Sequence, residues 1–240
     1  MADGVSGAAG ALALLSLLFL LTRRLWTIER PAAADGLHEP GASIVEALRR
    51  PLVWMQLPLF FLYCGVESTA GQLLYSLFTE SRGMAPTTAG LATGGYWASL
   101  TAGRFVFGQL AATVSRGAIL RIGLCLAPVG AALLWWNAAV AVSVAGAALL
   151  GFALAPIFPT LISITPQRVG GRYAAQAVGF QVAVANLGIA VLPWLVAVEA
   201  RRVGLEFVCV FLVAGSLLLL VMQEAVMRLT YRVDTSAALS

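Results

Sequence analysis

The chain has 240 residues, of which 60% are hydrophobic and only 11% are charged. So small a share of charge cannot cover a soluble domain, and the composition predicts a multi-pass protein embedded in a lipid bilayer. The formal net charge is +4, and every basic residue is Arg. Because these arginines cluster between apolar runs, they indicate membrane orientation, and we expect no nucleic-acid partner.

Cysteine and histidine usage argues against metal, cofactor and catalytic chemistry. Cys64, Cys125 and Cys209 lie in three different apolar runs, and the only histidine is His38 in a polar stretch. There is no CxxC motif, no second histidine and no cluster of carboxylates at membrane depth, so no set of ligands or catalytic groups is apparent. We therefore expect no metal site, no cofactor and no enzymatic activity.

Seven apolar segments are long enough to cross a hydrocarbon core of about 30 Å, which takes roughly 20 helical residues. The sequence therefore predicts an all-α fold, a polytopic membrane bundle of seven transmembrane helices. The predicted limits are Val5–Leu21 (A), Leu52–Phe78 (B), Ala89–Val114 (C), Ala118–Trp136 (D), Ala138–Ile164 (E), Tyr173–Val198 (F) and Leu205–Val226 (G).

The connections divide the chain into four predicted parts. Residues 1–22 form a single transmembrane helix, 23–50 a cytoplasmic linker, 51–232 a six-helix bundle and 233–240 a cytoplasmic tail. Within the linker, Ser43 and Glu46 have the spacing of a capping box. The residues after Ser43 then predict a short amphipathic segment on the membrane surface.

Arginine counts predict the orientation of the chain. Apart from Arg104, eleven arginines lie in one set of connections, and only Arg82, Arg201 and Arg202 lie in the other. Because cytoplasmic connections carry the excess of basic residues, the sequence predicts an outside N-terminus and a cytoplasmic C-terminus. The expected location is the plasma (inner) membrane.

Segment B contains one carboxylate among apolar residues. Tyr63, Glu67, Gly71 and Tyr75 recur at i, i+4, with Gln72 beside them, and so share one helix face. Glu67 lies roughly 25 Å along the helix from Arg50, which places it near the bilayer midplane. Such a residue either contacts a substrate or a transported proton, or is a protonated or hydrogen-bonded structural group. Tyr63 and Gln72 are further candidates for the substrate or proton pathway.

Segment C contains one arginine, Arg104, which shares a face of the predicted helix with Trp97, Thr101 and Gly108. Counting from Arg116, about 18 Å away along the chain, Arg104 lies on the cytoplasmic side of the midplane. Its side chain could extend to the aqueous surface as an anchor or reach Glu67 as an ion-pair partner. We predict a structural or ion-pair role for Arg104, and Trp97 is a candidate for the solute pathway.

Segments E and F carry further candidate features. Pro156 and Pro159 each lack an N–H, which predicts a kink or break that is either a hinge or a static bend. In segment F, small and polar residues recur at steps of three and four: Gln176, Gly179, Ala183, Asn186, Ala190 and Pro193. This seam predicts close packing against other helices, with lining of a solute cavity as the alternative for Gln176 and Asn186.

Three stretches together resemble the C-terminal half of a major facilitator superfamily transporter, and are most similar to its fucose-permease-like branch. They are YCGVESTAGQLLYSLF, GYWASLTAGRFVFG and GFALAPIFPTLISITPQRVG, in that order. The resemblance implies that segment A corresponds to the sixth helix of a twelve-helix transporter. Segments B to G would then be helices seven to twelve.

Two departures from the family pattern stand out. The cytoplasmic loop after segment C has Ala112 and Thr113 where the family often has an acidic and basic signature, and only Arg116 remains as an anchor there. The first five helices of the family pattern are also missing from this sequence. Since such transporters bind substrate between two six-helix halves, an N-terminal half or a second copy is an expected partner.

Two functional hypotheses follow. The first is a facilitator-type transporter that moves a small polar solute, for example a sugar, by alternating access. Proton coupling is one candidate for its driving force, and this chain would be a fragment or half of the complete transporter. The alternative is a truncated membrane protein that does not transport and acts by association with a full-length partner.

Overall fold

The computed structural model describes residues 13–14, 16–22 and 42–238, with the side chains of 229–238 excepted. The chain divides into two units, Met1–Pro40 and Gly41–Ser240. In the first unit, helix α1 covers residues 16–22. The other residues of predicted segment A lie outside the described part, except for helical residues 13–14, so its membrane crossing stays a prediction.

All regular secondary structure described in the second unit is helical, and its elements correspond to predicted segments B to G. A five-residue helix and a π-helical turn accompany the long helices. The elements are α2 (Ile44–Leu48), α3 (Pro51–Ser76), a π-helical turn (Leu77–Ser81), α4 (Pro86–Leu110), α5 (Arg116–Trp136), α6 (Val140–Leu154), α7 (Ile157–Val169), a 3₁₀ turn (Gly171–Tyr173), α8 (Ala174–Val203) and α9 (Phe207–Ala238).

Four helical stretches of the described chain are long and apolar enough to cross a membrane. Helices α3 and α4 have 26 and 25 residues, roughly 38 Å of helix, and so are long enough to cross. They are not among the four stretches, because their polar residues lower their mean hydropathy. The polytopic character is therefore supported, while crossing by all seven segments stays a prediction. The four stretches are Arg116–Trp136, Val140–Val169, Gly171–Val203 and Phe207–Arg228.

Local side-chain chemistry sets several helix ends. The predicted capping box is confirmed, because the Ser43 hydroxyl accepts from the Glu46 N–H and the Glu46 carboxylate accepts from the Ser43 N–H. Helix α4 ends at Leu110, before the predicted limit, and Ser115 caps the start of α5 by accepting from the Ala118 N–H. Helix α9 continues to Ala238, well past the end of its apolar run.

Segment E is two helices. Helix α6 ends at Leu154, α7 begins at Ile157, and Ala155 and Pro156 form a turn between them. The interruption lies where the two prolines remove N–H donors, as expected from the sequence. Both residues of the turn are buried, so the break lies inside the bundle.

The helices pack in a spatial order that differs from chain order. Helix α5 pairs with α6 and α9, α6 pairs with α4, and α3 pairs with α8, α9 and α4. The α5–α6 crossing depends on two glycines, because a Cβ on Gly130 would lie 3.0 Å from the Gly146 carbonyl oxygen. The core lies between these helices and contains Tyr63 and Tyr96, both fully buried.

One arginine links three helices near the end of the bundle where α9 begins. The Arg82 side chain is only 6% exposed, and it donates to both carboxylate oxygens of Glu206, each at 2.9 Å. It also donates to the Ser143 hydroxyl on α6 at 3.0 Å. Hydrogen bonds from Arg82 lower the pKa of the Glu206 carboxyl. A bidentate, mostly buried guanidinium of this kind fixes the relative positions of the π-helical turn, α6 and α9.

We predict that Arg82→Gln lowers the free energy of unfolding by about 1 to 3 kcal/mol, because it leaves Glu206 and Ser143 without their donor. Thermal unfolding in detergent measures the change, with Arg201→Gln at an exposed position as the control. The pH dependence of this effect can also be predicted. Because its pKa is lowered in the folded state, Glu206 stabilises the fold above its ordinary pKa of 4.5. The difference in unfolding free energy between wild type and Arg82→Gln should therefore shrink as the pH falls below that value. A difference that is constant with pH would contradict this account.

Candidate functional site

The candidate site is built around Glu67 on α3, whose side chain is 18% exposed. One turn earlier on the same face, the Tyr63 hydroxyl donates to a carboxylate oxygen of Glu67. The same hydroxyl lies 3.1 Å from the carbonyl oxygen of Leu154, the last residue of α6. A phenol has one hydrogen to donate, so Tyr63 can bond fully to only one of these acceptors at a time.

Arg104 on α4 pairs with Glu67. Its Nη2 atom lies 3.5 Å from the other carboxylate oxygen of Glu67, and its side chain is 53% exposed. Of the two roles left open by the sequence, the geometry matches the ion pair. Each carboxylate oxygen therefore has its own partner, one cationic and one phenolic.

Tyr96 holds α4 against α3 at this point, and sequence reasoning missed it. Its fully buried hydroxyl donates to the main-chain carbonyl of Glu67 at 2.9 Å. The neighbouring Trp97 packs edge-on against it, with ring centroids 5.3 Å apart. Trp97 also fills the space that a side chain at Gly71 would need. The partner of Tyr96 is a backbone atom on another helix, which no side-chain pattern reveals.

A cavity of about 370 Å³ adjoins the ion pair. It brings together four residues that the sequence singled out: Arg104, Arg116, Pro156 and Pro159. The hydroxyl-bearing residues Thr160 and Ser163 of α7 and apolar residues of α4 and α5 complete its wall. The guanidinium of Arg104 thus connects a carboxylate in the bundle to a cavity beside the α6–α7 break.

The other predicted pathway residues lie apart from this constellation. Gln72 is exposed on α3, and the exposed Asn186 of α8 donates to the carbonyl of Val182 within its own helix. Gln176, near the start of α8, donates to the carbonyl of Ala42 at 2.7 Å, ahead of α2. About ten residues, or roughly 15 Å of helix, separate Gln176 from Asn186.

The small and polar seam of α8 does not pack as predicted. Gly179, Ala183 and Asn186 are exposed, because α8 turns a different face to α3. That contact face carries Gly188, where an added Cβ would lie 3.1 Å from the Cα of Phe61. None of the described helices covers these three positions, so the predicted close packing does not occur within this chain, and packing against a partner stays a prediction.

A buried polar network, also missed from sequence, joins α3, α7 and α8. The amide of Gln181 donates to the Gln56 side-chain oxygen and to the Thr165 hydroxyl, both at 3.0 Å. The Gln56 amide in turn donates to the Leu52 carbonyl at 3.1 Å. All three side chains are almost completely buried, and mutual pairing removes most of the cost of burying them.

The helical bundle and its four long apolar stretches are those of an integral membrane protein. The sequence profile of the Major Facilitator Superfamily matches residues 57–238, which include most of α3 and all described elements after it. The chain belongs to this superfamily.

One curated relative is the yeast (Saccharomyces cerevisiae) protein named bypass of stop codon protein 6, which is 25% identical over 173 residues. That similarity covers 68% of this chain and 35% of the relative, so the chain spans about a third of the relative's length. No solved structure matches the chain.

We predict that Glu67 and Arg104 are energetically coupled. In a double-mutant cycle of Glu67→Gln, Arg104→Gln and the double variant, the loss in the double variant should be smaller than the sum of the single losses. The expected coupling is about 0.5 to 3 kcal/mol, because each single change leaves a charged partner without its counter-ion. Thermal unfolding in lipid nanodiscs measures it. Additive losses would show that the two side chains act separately.

Proposed function

We propose that the chain is the C-terminal half of a major facilitator transporter, in the fucose-permease-like branch, that moves a small polar solute such as a sugar. The observation that carries the proposal is the Glu67–Arg104 ion pair beside the 370 Å³ cavity. Superfamily membership and the placement of ionisable groups within apolar helices support it, because such groups usually mark a solute or ion pathway.

The proposed coupling begins with a proton on Glu67. Neutral Glu67 no longer attracts Arg104, so the guanidinium is free to donate to solute oxygens in the cavity. The Tyr63 hydroxyl can then turn from Glu67 to the Leu154 carbonyl at the end of α6. Protonation therefore changes contacts both in the cavity and at the α6–α7 break, where Pro156 and Pro159 provide the proposed hinge.

Alternating access requires a second unit. Arg104, Trp97 and Thr101 are exposed on α4, and Asn186 is exposed on α8. A charge left in lipid costs about 2.5 to 3.5 kcal/mol on insertion scales, so a face of this kind favours a protein partner or a water-filled cavity over lipid. We propose that an N-terminal half, or a second copy, covers it. The proposed orientation in the plasma membrane places the C-terminus in the cytoplasm.

We predict that Glu67→Gln abolishes proton-driven accumulation of solute but preserves exchange of solute across the membrane. An amide keeps the shape of the side chain and cannot carry the proton. Uptake and counterflow of radiolabelled hexoses and pentoses into proteoliposomes that contain this chain together with its covering half, measured over a pH series, test the prediction. Glu224→Gln is the matched control, because Glu224 also pairs with an arginine, Arg121, at 2.9 Å. Normal accumulation by Glu67→Gln at every pH would remove Glu67 from the coupling mechanism.

The exposed polar face also supports a second candidate function, association with a full-length partner without transport. If the transporter proposal is right, cells that produce this chain should take up sugar only when a covering half is present. Co-purification and uptake measured in the same cells distinguish the two functions. Stable association without any gain in uptake would favour the non-transporting protein. Purification solely as a monomer, with no uptake, would contradict both.

A further inference from the structure

A second cavity, of about 430 Å³, lies between the start of α3 and the end of α7. Its wall is largely apolar, with Pro51, Leu52, Met55 and Val169, and it contains two arginines, Arg50 and Arg168. The described residues that line it are all different from those of the cavity beside Glu67. The transport proposal therefore assigns it no role.

The two arginines differ in how they are held. Arg50 donates to the Tyr173 hydroxyl at 2.9 Å and lies over the same ring, 4.6 Å from its centroid. The Nη1 atom of Arg168 is buried and has no hydrogen-bond partner among the described residues. An unpartnered buried donor on a cation is costly, so an oxygen-rich anion in this cavity would supply the missing hydrogen-bond acceptor.

Among the described residues that line this cavity, none is acidic. The carboxylate on the adjacent helix α2, that of Glu46, already pairs with Arg172 at 3.5 Å and caps its own helix. The net charge of the described residues around the cavity is therefore positive.

The cavity also lies at the end of the bundle that the arginine count assigns to the cytoplasm. At that membrane surface, basic pockets between helices meet anionic headgroups.

We propose that this cavity binds one anionic phospholipid. Arg168 and Arg50 donate to the phosphate oxygens, and the start of an acyl chain lies against Leu52 and Met55. The apolar wall is what selects a lipid over free phosphate, because an inorganic ion would leave it unfilled. The inference does not depend on transport, since it requires only the fold and the membrane.

Native mass spectrometry of the purified full chain tests the proposal, with dioleoyl phosphatidylglycerol, dioleoyl phosphatidylcholine and sodium phosphate as separate probes. Phosphatidylglycerol should bind about tenfold or more tightly than phosphatidylcholine, because both offer the same phosphate oxygens but the choline of the latter places a cation beside two arginines. The double variant Arg50→Gln and Arg168→Gln should lose this preference. The double variant Arg201→Gln and Arg202→Gln, at exposed arginines near the other end of α8, should keep it.

A third variant, Leu52→Trp, keeps the proposal testable if the Arg50 and Arg168 double variant does not fold. Leu52→Trp keeps both arginines and fills the apolar part of the cavity, so it should weaken phosphatidylglycerol binding about tenfold as well. Equal binding of the two lipids would overturn the proposal, as would unchanged preference in the Arg50 and Arg168 double variant. Competition by sodium phosphate at equal concentration would also overturn it, because it would indicate a free-anion site.

Discussion

The ion pair between Glu67 and Arg104 is the interaction on which the candidate site depends. Glu67 is mostly buried and would be costly without a counter-charge, and Arg104, although its side chain is 53% exposed, supplies that charge at 3.5 Å. The pair therefore ties α4 to α3 and fixes the direction of the Arg104 guanidinium. Tyr63 and Tyr96 add a hydrogen bond to the carboxylate and one to the main-chain carbonyl of Glu67. Loss of either charge would leave the other side chain, and the cavity wall it forms, without a fixed position.

The break between α6 and α7 lies beside the Glu67–Arg104 pair and is linked to it through Tyr63. A continuous helix would satisfy the carbonyl of Leu154 internally, whereas the interruption at Ala155 and Pro156 leaves it within reach of the Tyr63 hydroxyl. The prolines of the break also line the cavity that Arg104 enters. Charge, hydrogen bonding and helix geometry therefore meet at one place.

The sequence predicts the long helices well, because twenty apolar residues in a row have few alternatives to a buried helix. It also predicts the capping box at Ser43 and the interruption near Pro156, since both depend on local chemistry. It does not predict the Gln56–Thr165–Gln181 network, the Arg82–Glu206 pair or the hydrogen bond of Tyr96. Their partners come from distant parts of the chain, so only helix packing reveals them. The predicted seam of α8 is not covered by the described helices, because small residues suit close packing without specifying which helix covers them.

The most direct test of the account is the separation of Glu67 and Arg104 in a lipid bilayer. Solid-state NMR can measure the dipolar coupling between a ¹³C label at the Glu67 carboxylate and ¹⁵N labels at the Arg104 guanidinium. The account predicts a coupling that matches the 3.5 Å nitrogen-to-oxygen contact and that disappears in Arg104→Gln. No measurable coupling in the wild-type protein, as expected if Arg104 extends to the aqueous surface instead, would contradict it.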